Sequence, residues 1–350
     1  MTSYERMERL SNPMPRGLKI LLVNVDSNWN MAIRKMYNYF RTENEVDMKD
    51  LGFSGYPHNK HMEIDASRYD RVYISNIFDN NKERVSITGC DWIEFGGIGS
   101  ICPDRHLPPE IENTDPFYYD HEDTSVGFIT RGCIRKCWFC KVPKYEGILK
   151  VYNDVEKIVK HEKVKFLDNN ILAYDRHCEV FQWLIDHNIR CEFNQGLDFR
   201  LVNDENMELL SKLRYMGDYI FAFDDPRYKE AIEEKLIVVK RWIPQPWKIK
   251  FYLYYNPSME ISGLIDRIEW CRENQCKPYI MRDRTCWDCD KDIRNLLTDL
   301  AAYCNQPNLF KKMSFEKFLL RRHTNLARID ASRTLYDNAR RGSCDTLGIH

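Results

Sequence analysis

The sequence contains no run of about 20 apolar residues, which is the length that a membrane-spanning helix needs. Its first 17 residues are polar and mixed in charge, without the apolar stretch of a secretory signal peptide. We therefore expect a protein that has no membrane segment and is cytoplasmic.

An excess of charge of either sign is also absent. The 350 residues include 52 Lys and Arg against 53 Asp and Glu, and 43% are hydrophobic, which is the composition of a soluble globular protein. The balance conceals a basic tract, because residues 311–341 contain nine Lys or Arg and three Asp or Glu. Phe310, Phe315 and Phe318 are interleaved with it. The tract predicts either a nucleic-acid surface or an amphipathic helix beside the main fold.

Cysteine, in contrast, is abundant. The chain has 13, an odd number, and a reducing compartment disfavours a disulfide framework. Closely spaced cysteines therefore predict metal or redox chemistry. Two groups have such spacing, and most of the other cysteines are expected in the core. The two groups are Cys133, Cys137 and Cys140, and Cys286 and Cys289.

The pattern of apolar segments predicts an α/β protein. Residues 1–115 are typical of a small α/β domain, with strands at 18–25, 69–77 and 92–95, a helix at 31–41, and a Pro-rich linker at 102–116. From residue 116 to 285, six strands alternate with helices, which indicates a parallel sheet with right-handed crossovers. Six units are fewer than the eight of a closed barrel, so we expect a partial (β/α)6 barrel. Residues 286–350 are mainly helical. The six strands are predicted at 126–130, 164–167, 191–194, 219–223, 248–255 and 278–281.

The first cysteine group lies in a loop just past the first of these six strands. Cys133, Cys137 and Cys140 have the spacing C-x3-C-x2-C, so three thiolates can surround one face of an iron–sulfur cubane and leave the fourth iron without a protein ligand. The neighbouring basic residues are expected to favour thiolates. They are Arg131, Arg135, Lys136 and Lys141.

This motif, with Phe139 before the third cysteine and βα units after it, resembles the radical S-adenosylmethionine (SAM) superfamily. The resemblance covers about residues 120–285. It implies a [4Fe–4S] cluster that binds SAM at its open iron and cleaves it to a 5′-deoxyadenosyl radical, which abstracts hydrogen from a substrate. The alternative is a structural zinc site, which would need a fourth ligand such as His106 or His121.

The resemblance also implies SAM contacts at the ends of the next strands. Phe139 belongs to the cysteine motif. The segment Asp168, Asn169 and Asn170 stands where the family commonly has a Gly-Gly-Glu-like segment that binds the SAM amino group. The alternative for this segment is an Asx turn without a ligand. Asn194 or Gln195 is expected at the ribose or carboxylate. Arg200 is expected to clamp a carboxylate, unless it forms an ordinary surface pair with Asp198.

The remaining strand ends are candidates for a substrate wall. Asp224 follows the fourth strand, Tyr254, Tyr255 and Asn256 follow the fifth, and Arg282 follows the sixth. The acidic pair that begins at Asp224 can equally begin a helix.

The N-terminal segment resembles the Rossmann-like, B12-binding-like domain of some radical SAM enzymes, and the chain as a whole resembles uncharacterised bacterial and phage radical SAM proteins that carry such a domain. Residues 96–97, 107–111 and 127–133 carry this second resemblance. The cobalamin motif Asp-x-His-x-x-Gly is incomplete, because Asp26 is followed by neither the His nor the Gly. We therefore expect no cobalamin here. An auxiliary cluster at Cys286 and Cys289 remains an alternative to plain reduced cysteines.

Three functions follow from the sequence. The first is a radical SAM enzyme that acts on a small molecule or nucleotide and receives its electron from a flavodoxin- or ferredoxin-type donor. The second modifies a base of tRNA or of hypermodified phage DNA, which the basic tract favours. The third, from another class, is a non-catalytic zinc or Fe–S protein. Binding to nucleic acid that weakens steeply with salt separates the second function from the first.

Overall fold

The computed structural model describes residues 16–26, 29–53, 61–103 and 106–346, with side chains described up to residue 341. The chain forms two compact units, Met1–Val126 and Gly127–His350. The domain limits predicted from the sequence, at 115/116 and 285/286, stay predictions.

The N-terminal unit is built on a four-stranded parallel sheet. Its strand order is β2-β1-β4-β6, and β3 and β5 form a separate parallel pair. The strands are β1 (Lys19–Asp26), β2 (Glu45–Phe53), β3 (Met62–Asp65), β4 (Arg71–Ser75), β5 (Val85–Thr88) and β6 (Ile93–Gly96), and the helices are α1 (Met31–Phe40) and α2 (Pro109–Glu112).

Strand β1 is buried on both faces, which explains its continuous apolar sequence. Ile20 and Leu22 pack with residues of α1 and α2, including Ile33 and Ile111. Leu21, Val23 and Val25 pack on the opposite face with residues of the β3–β5 pair. A parallel sheet with a helix over one face confirms the predicted α/β character of this segment, whereas a second small sheet covers the other face.

The C-terminal unit alternates strands and helices and ends in four consecutive helices. The strands are β7 (Thr124–Gly127), β8 (Thr130–Arg131), β9 (Lys150–Val151), β10 (Lys163–Phe166), β11 (Arg190–Phe193), β12 (Arg214–Tyr215), β13 (Tyr219–Ala222), β14 (Ile249–Tyr255) and β15 (Lys277–Arg282). The helices are α3 (Val142–Tyr145), α4 (Val155–Ile158), α5 (His177–Asp186), α6 (Asp204–Lys212), α7 (Lys229–Trp242), α8 (Ile261–Glu273), α9 (Lys291–Cys304), α10 (Pro307–Lys312), α11 (Phe315–Arg322) and α12 (Leu326–Thr346).

Besides the two-stranded β8–β9 pair, strands of this unit contribute to two larger sheets, which one isolated bridge among the described residues connects. The orders are β12-β11-β10-β7 and β13-β14-β15, and the pairs β10–β11, β11–β12, β13–β14 and β14–β15 are parallel. Leu197, just past β11, bridges in parallel to Phe221 of β13, and its N–H donates to the Ile220 carbonyl at 2.7 Å. All six predicted strands are therefore present, but the sheet that they form is interrupted between β11 and β13. The α/β class is confirmed.

One hydrophobic core extends through the whole C-terminal unit. It includes strand residues such as Phe166, Phe193 and Phe251, and it continues into the C-terminal helices through Phe310 and Tyr336. The helices after β15 therefore share the core of the sheets. Within the part of the chain that the structure describes, no helix combines the length and apolar character needed to cross a bilayer.

Candidate functional site

The three-cysteine loop starts from a short hairpin at the end of the first predicted barrel strand. Strands β8 and β9 pair antiparallel, with Arg131 opposite Lys150, and the Cys133 N–H donates to the Gly147 carbonyl at 3.2 Å. Gly132 has a φ of +81°, and a Cβ there would clash with the Ile148 carbonyl. Only glycine meets both requirements, so this residue fixes where the loop leaves the hairpin.

A buried carboxylate fastens the start of this loop to the next strand. Asp168, just past β10, accepts hydrogen bonds from the Ile129 N–H at 3.1 Å, the Thr130 N–H at 2.5 Å and the Thr130 hydroxyl at 2.8 Å. Burial raises the pKa of Asp168 to about 6, although these hydrogen bonds lower it. Its predicted role as a SAM contact stays a prediction; its observed contacts position the strand end that carries the cysteines.

A second carboxylate, Glu146, lies after the three cysteines on the same segment and binds the residues that precede them. It accepts hydrogen bonds from Arg131 Nε, the Gly132 N–H and Asn169 Nδ2, at 3.0, 3.0 and 2.8 Å. Burial raises the pKa of Glu146, but the Arg131 charge and these hydrogen bonds outweigh burial and lower it. Asn169, predicted as a cofactor contact, thus acts here as a tether between the β10 end and the loop.

A third carboxylate connects the loop to the end of β11. Asp198 is buried and accepts from Arg135 Nε at 2.7 Å and from Arg200 Nε at 2.7 Å. Burial raises its pKa, but the two guanidinium groups outweigh burial and lower it. The guanidinium of Arg200, which was predicted to bind a carboxylate, is therefore paired with the carboxylate of Asp198. Because Asp198 also binds Arg135 of the cysteine loop, this half-buried pair is not an ordinary surface pair.

The electrostatic surroundings of the thiols are mixed. Burial raises the pKa of Cys137 and of Cys140, and the neighbouring thiols and Asp224 raise it further. Arg131 and Arg135, which we expect to favour thiolates, are each paired with a carboxylate, Glu146 or Asp198. Because a bound metal itself stabilises thiolates, the predicted role of the basic residues stays a prediction.

The donor set fits an iron–sulfur cluster in number and chemistry. Cys133, Cys137 and Cys140 are free thiols of one loop that affect each other electrostatically. Across the described residues, no group of three or more His, Cys, Asp or Glu side chains is arranged so that it could hold a metal ion.

Asn170 presents an unsatisfied acceptor beside the first cysteine. Its Nδ2 contacts the Cys133 sulfur at 4.0 Å and donates to Asp198 at 3.4 Å. Its Oδ1 is buried and has no hydrogen-bond partner among the described residues. Because a buried carbonyl oxygen without a partner is costly, this atom is suited to accept a hydrogen bond from an ammonium or hydroxyl group of a bound molecule.

An aromatic group connects the loop to β14. The rings of Phe139 and Tyr254 stack with centroids 4.0 Å apart and an interplanar angle of 15°. Exposed Trp138 meets both rings edge-on, and the Tyr254 hydroxyl donates to Asp283 at 2.9 Å. Phe139 therefore lies where it was expected, on the cysteine loop, with one ring face covered by Tyr254.

Asp224 approaches the loop from the end of β13. It accepts a hydrogen bond from the Tyr254 N–H at 3.0 Å, and burial raises its pKa to about 6. Arg267, fully buried on α8, donates to the carbonyls of Phe223 and Tyr254 behind this carboxylate. Sequence reasoning missed Arg267, because a buried arginine and a surface arginine look alike in a helical pattern.

The other predicted strand-end residues lie in less central positions. Gln195 is exposed and Asn194 half-buried. Tyr255 packs in the core, with its hydroxyl donating to the Met259 carbonyl at 3.3 Å. Asn256 Oδ1 accepts from the Ser258 N–H in a turn, and Arg282 donates to Thr298 of α9 at 3.2 Å. Of the two neighbouring tyrosines, Tyr254 is the one that reaches the cysteine loop.

The second cysteine pair lies past β15. Burial raises the pKa of Cys286 to about 12, and its thiol contacts the Tyr255 carbonyl at 3.6 Å. Cys289 is half-buried and affects Cys286 electrostatically. An auxiliary cluster at this pair stays a prediction.

The C-terminal basic tract is folded into the helical region. Phe310, Phe315 and Phe318 are buried, so their rings do not stack on a base. Asp299, also buried, pairs with Arg322 at 3.1 Å and Arg328 at 3.2 Å. Of the two interpretations of the tract, these contacts favour helices packed beside the main fold.

In the N-terminal unit, Asp26, the one residue of the cobalamin motif that is present, is hydrogen-bonded within the unit. Asp26 accepts hydrogen bonds from the Ile77 N–H and from Asn81 Nδ2, and the next two motif positions, 27 and 28, lie outside the described residues. His121, one of the two alternative zinc ligands, stacks on Tyr119.

The sequence was also compared with known proteins. No model of a protein family matches the chain. A search of curated proteins likewise finds no match.

Proposed function

We propose that the chain is a radical SAM enzyme with a partial (β/α)6 barrel, in which Cys133, Cys137 and Cys140 hold a [4Fe–4S] cluster. The observation that carries the proposal is the presence of three free thiols on one short loop at a strand end of a parallel α/β unit. Structural zinc sites almost always have four protein ligands, and three cysteines alone match a cubane with one open iron.

The surrounding residues support this function by fixing the loop through three carboxylates, two of which follow the strands β10 and β11 while the third, Glu146, lies on the loop itself. Asp168 holds the loop's first residues, Glu146 holds Gly132, and Asp198 holds Arg135. A cofactor that is cleaved at one bond requires ligands in a fixed geometry. Three separate carboxylate tethers on about ten residues supply that rigidity.

The polar and aromatic residues beside the loop would bind SAM. Asn170 Oδ1, the unsatisfied buried acceptor, is positioned to accept from the SAM amino group. Phe139, whose ring stacks on Tyr254, would contact the apolar part of SAM. Asp224 is positioned to accept or donate a proton at the strand ends, because burial raises its pKa to about 6. The cluster, when bound, supplies the electron for reductive cleavage of SAM.

We expect a small molecule or nucleotide as the substrate. The nucleic-acid alternative is less well supported, because the three phenylalanines of the basic tract are buried and cannot stack on bases. An electron donor of the flavodoxin or ferredoxin type completes the system.

Anaerobic reconstitution with iron and sulfide tests the cluster assignment. The variant Cys133→Ala/Cys137→Ala/Cys140→Ala should fold and lose the electron paramagnetic resonance signal of the reduced cluster. The matched control Cys286→Ala/Cys289→Ala should keep the full signal. A signal that survives in the triple variant and disappears in the control contradicts the proposal, and so does uptake of zinc alone by the wild-type protein.

A further inference from the structure

Exposed apolar side chains are concentrated around the cysteine loop. Ile134, Trp138, Ile148 and Val151 are exposed by 48, 61, 77 and 58%. Among the described residues, eight large apolar side chains are exposed by 48% or more, and these four of them lie within 18 consecutive residues. Clustered apolar exposure of this kind marks interaction sites, whereas single exposed residues are normal.

The four side chains belong to one structural piece, the cysteine-loop surface, which we define as residues 130–151. The β8–β9 pairing places Val151 opposite Thr130, and the backbone of Ile148 lies against Gly132. Ile134 and Trp138 project from the loop that the same hairpin carries. The three cysteines lie within the same segment, on a framework that the Glu146 hydrogen bonds hold.

The same surface is strongly basic. Residues 131–151 contain six Lys or Arg and a single acid, Glu146, although the whole chain has a net charge of −1. Arg131 and Arg135 are paired with Glu146 and Asp198, and the four lysines of the surface are exposed. They are Lys136, Lys141, Lys144 and Lys150.

Exposed apolar side chains interspersed with exposed lysines fit an acidic protein better than a nucleic acid. Three of the four apolar side chains are aliphatic and have no ring face on which a base can stack. A protein partner can bury such side chains in its interface and meet the lysines with acidic groups.

We infer that the cysteine-loop surface is the docking site of an acidic redox protein that delivers the electron to the site. This inference rests on the proposed function. In the transfer, one electron leaves the reduced flavin or iron–sulfur centre of the partner and enters the cluster, so the partner is oxidised and the cluster reduced, with no bond made or broken. Docking here brings the partner directly over the loop that carries the cysteines.

The test uses a purified flavodoxin of net negative charge and the reconstituted holoenzyme. Lys144→Glu/Lys150→Glu and Ile148→Asp should each weaken flavodoxin binding at least about tenfold. Lys312→Glu/Lys317→Glu makes the same charge change elsewhere, and Ile237→Asp introduces the same residue at a position exposed by 68%. Both controls should bind as the wild type does. Carbodiimide cross-linking should join flavodoxin carboxylates to the four lysines.

Separate reductants distinguish this inference from the proposed function. With dithionite, the surface variants should form 5′-deoxyadenosine at the wild-type rate, whereas with reduced flavodoxin their rate should fall in parallel with binding. Absence of product from the wild type with dithionite would count against the proposed function alone, since binding is measured independently. Unchanged flavodoxin binding in the surface variants would overturn the docking site. Salt-sensitive binding of a single-stranded oligonucleotide that these variants abolish, without flavodoxin binding, would assign the surface to nucleic acid instead.

Discussion

Arg135, which lies between the first two cysteines of the loop, donates from its Nε to Oδ2 of Asp198 at 2.7 Å. The two residues are 63 positions apart, and Asp198 also accepts a hydrogen bond from Arg200 Nε. One buried carboxylate thus joins the cysteine loop to the end of β11, and the position of the cysteines depends on it.

Asp198→Asn removes the charge that holds both arginines. The free energy of unfolding should fall by about 2 kcal/mol, because charged donors lose their partner in a half-buried position. Iron content after reconstitution should fall as well, since the loop loses one tether. The control Asp204→Asn breaks the exposed pair with Arg241 and should change stability less and leave iron content unaltered. Equal iron content in both variants would show that the Asp198 bridge does not position the loop.

Gly132 and Gly147 form a matched pair for testing the hairpin. Both have positive φ, +81° and +76°, but a Cβ clashes with the Ile148 carbonyl only at Gly132, and nothing lies within 4 Å at Gly147. Each Ala substitution should cost about 1 kcal/mol from the left-handed backbone. Gly132→Ala should cost more and should also reduce iron content, which Gly147→Ala should preserve. Identical unfolding curves for the two variants would contradict this role of Gly132.

Asp168 and Glu146 should affect stability with opposite pH dependence. Burial raises the Asp168 pKa from 3.8 to about 6, so the folded chain holds more protons than the unfolded chain between about pH 4 and 6. Its contribution to the free energy of unfolding therefore falls by up to about 3 kcal/mol as pH rises through that window. Asp168→Asn should remove this fall in denaturant titrations at pH 4.5 and 7.

Glu146 provides the contrasting case, because its pKa is lowered in the folded chain. Its contribution is present above the unfolded-state pKa and is lost as pH falls through the folded-state value. Glu146→Gln should therefore destabilise the protein more at pH 7 than at acid pH. The same sign of pH dependence for both variants would show that their environments are not as described.

The Phe139–Tyr254 stack should support SAM binding. Tyr254→Phe keeps the ring and loses only the hydroxyl bond to Asp283, whereas Tyr254→Ala removes the stacking partner. The SAM dissociation constant of the reconstituted protein, measured by calorimetry, should rise about fivefold in the Ala variant, since such a ring pair contributes about 1 kcal/mol beyond burial. The Phe variant should bind SAM as the wild type does. Equal weakening in both would assign the effect to the hydroxyl.

Local patterns predict the secondary structure of this chain better than its site. The apolar strand at β1 and the amphipathic helices α5 to α8 follow from their sequences, and each lies within a few residues of its predicted position. Strand β2 was not predicted, because it is largely exposed and polar. The carboxylates that hold the cysteine loop could not be predicted, because their hydrogen bonds join residues that are distant in the sequence. The periodic pattern of apolar residues carries no information about such contacts. Tyr254 and Tyr255 show the same limit, because the face that each occupies depends on strand register.

An anaerobic assay of the reconstituted protein with dithionite and SAM tests whether the chain is a radical SAM enzyme. We expect 5′-deoxyadenosine from the wild type and none from Cys133→Ala/Cys137→Ala/Cys140→Ala, while Cys286→Ala/Cys289→Ala remains active. A wild-type protein that binds zinc in place of a cluster and forms no 5′-deoxyadenosine, even when candidate nucleotides are supplied, would contradict this assignment.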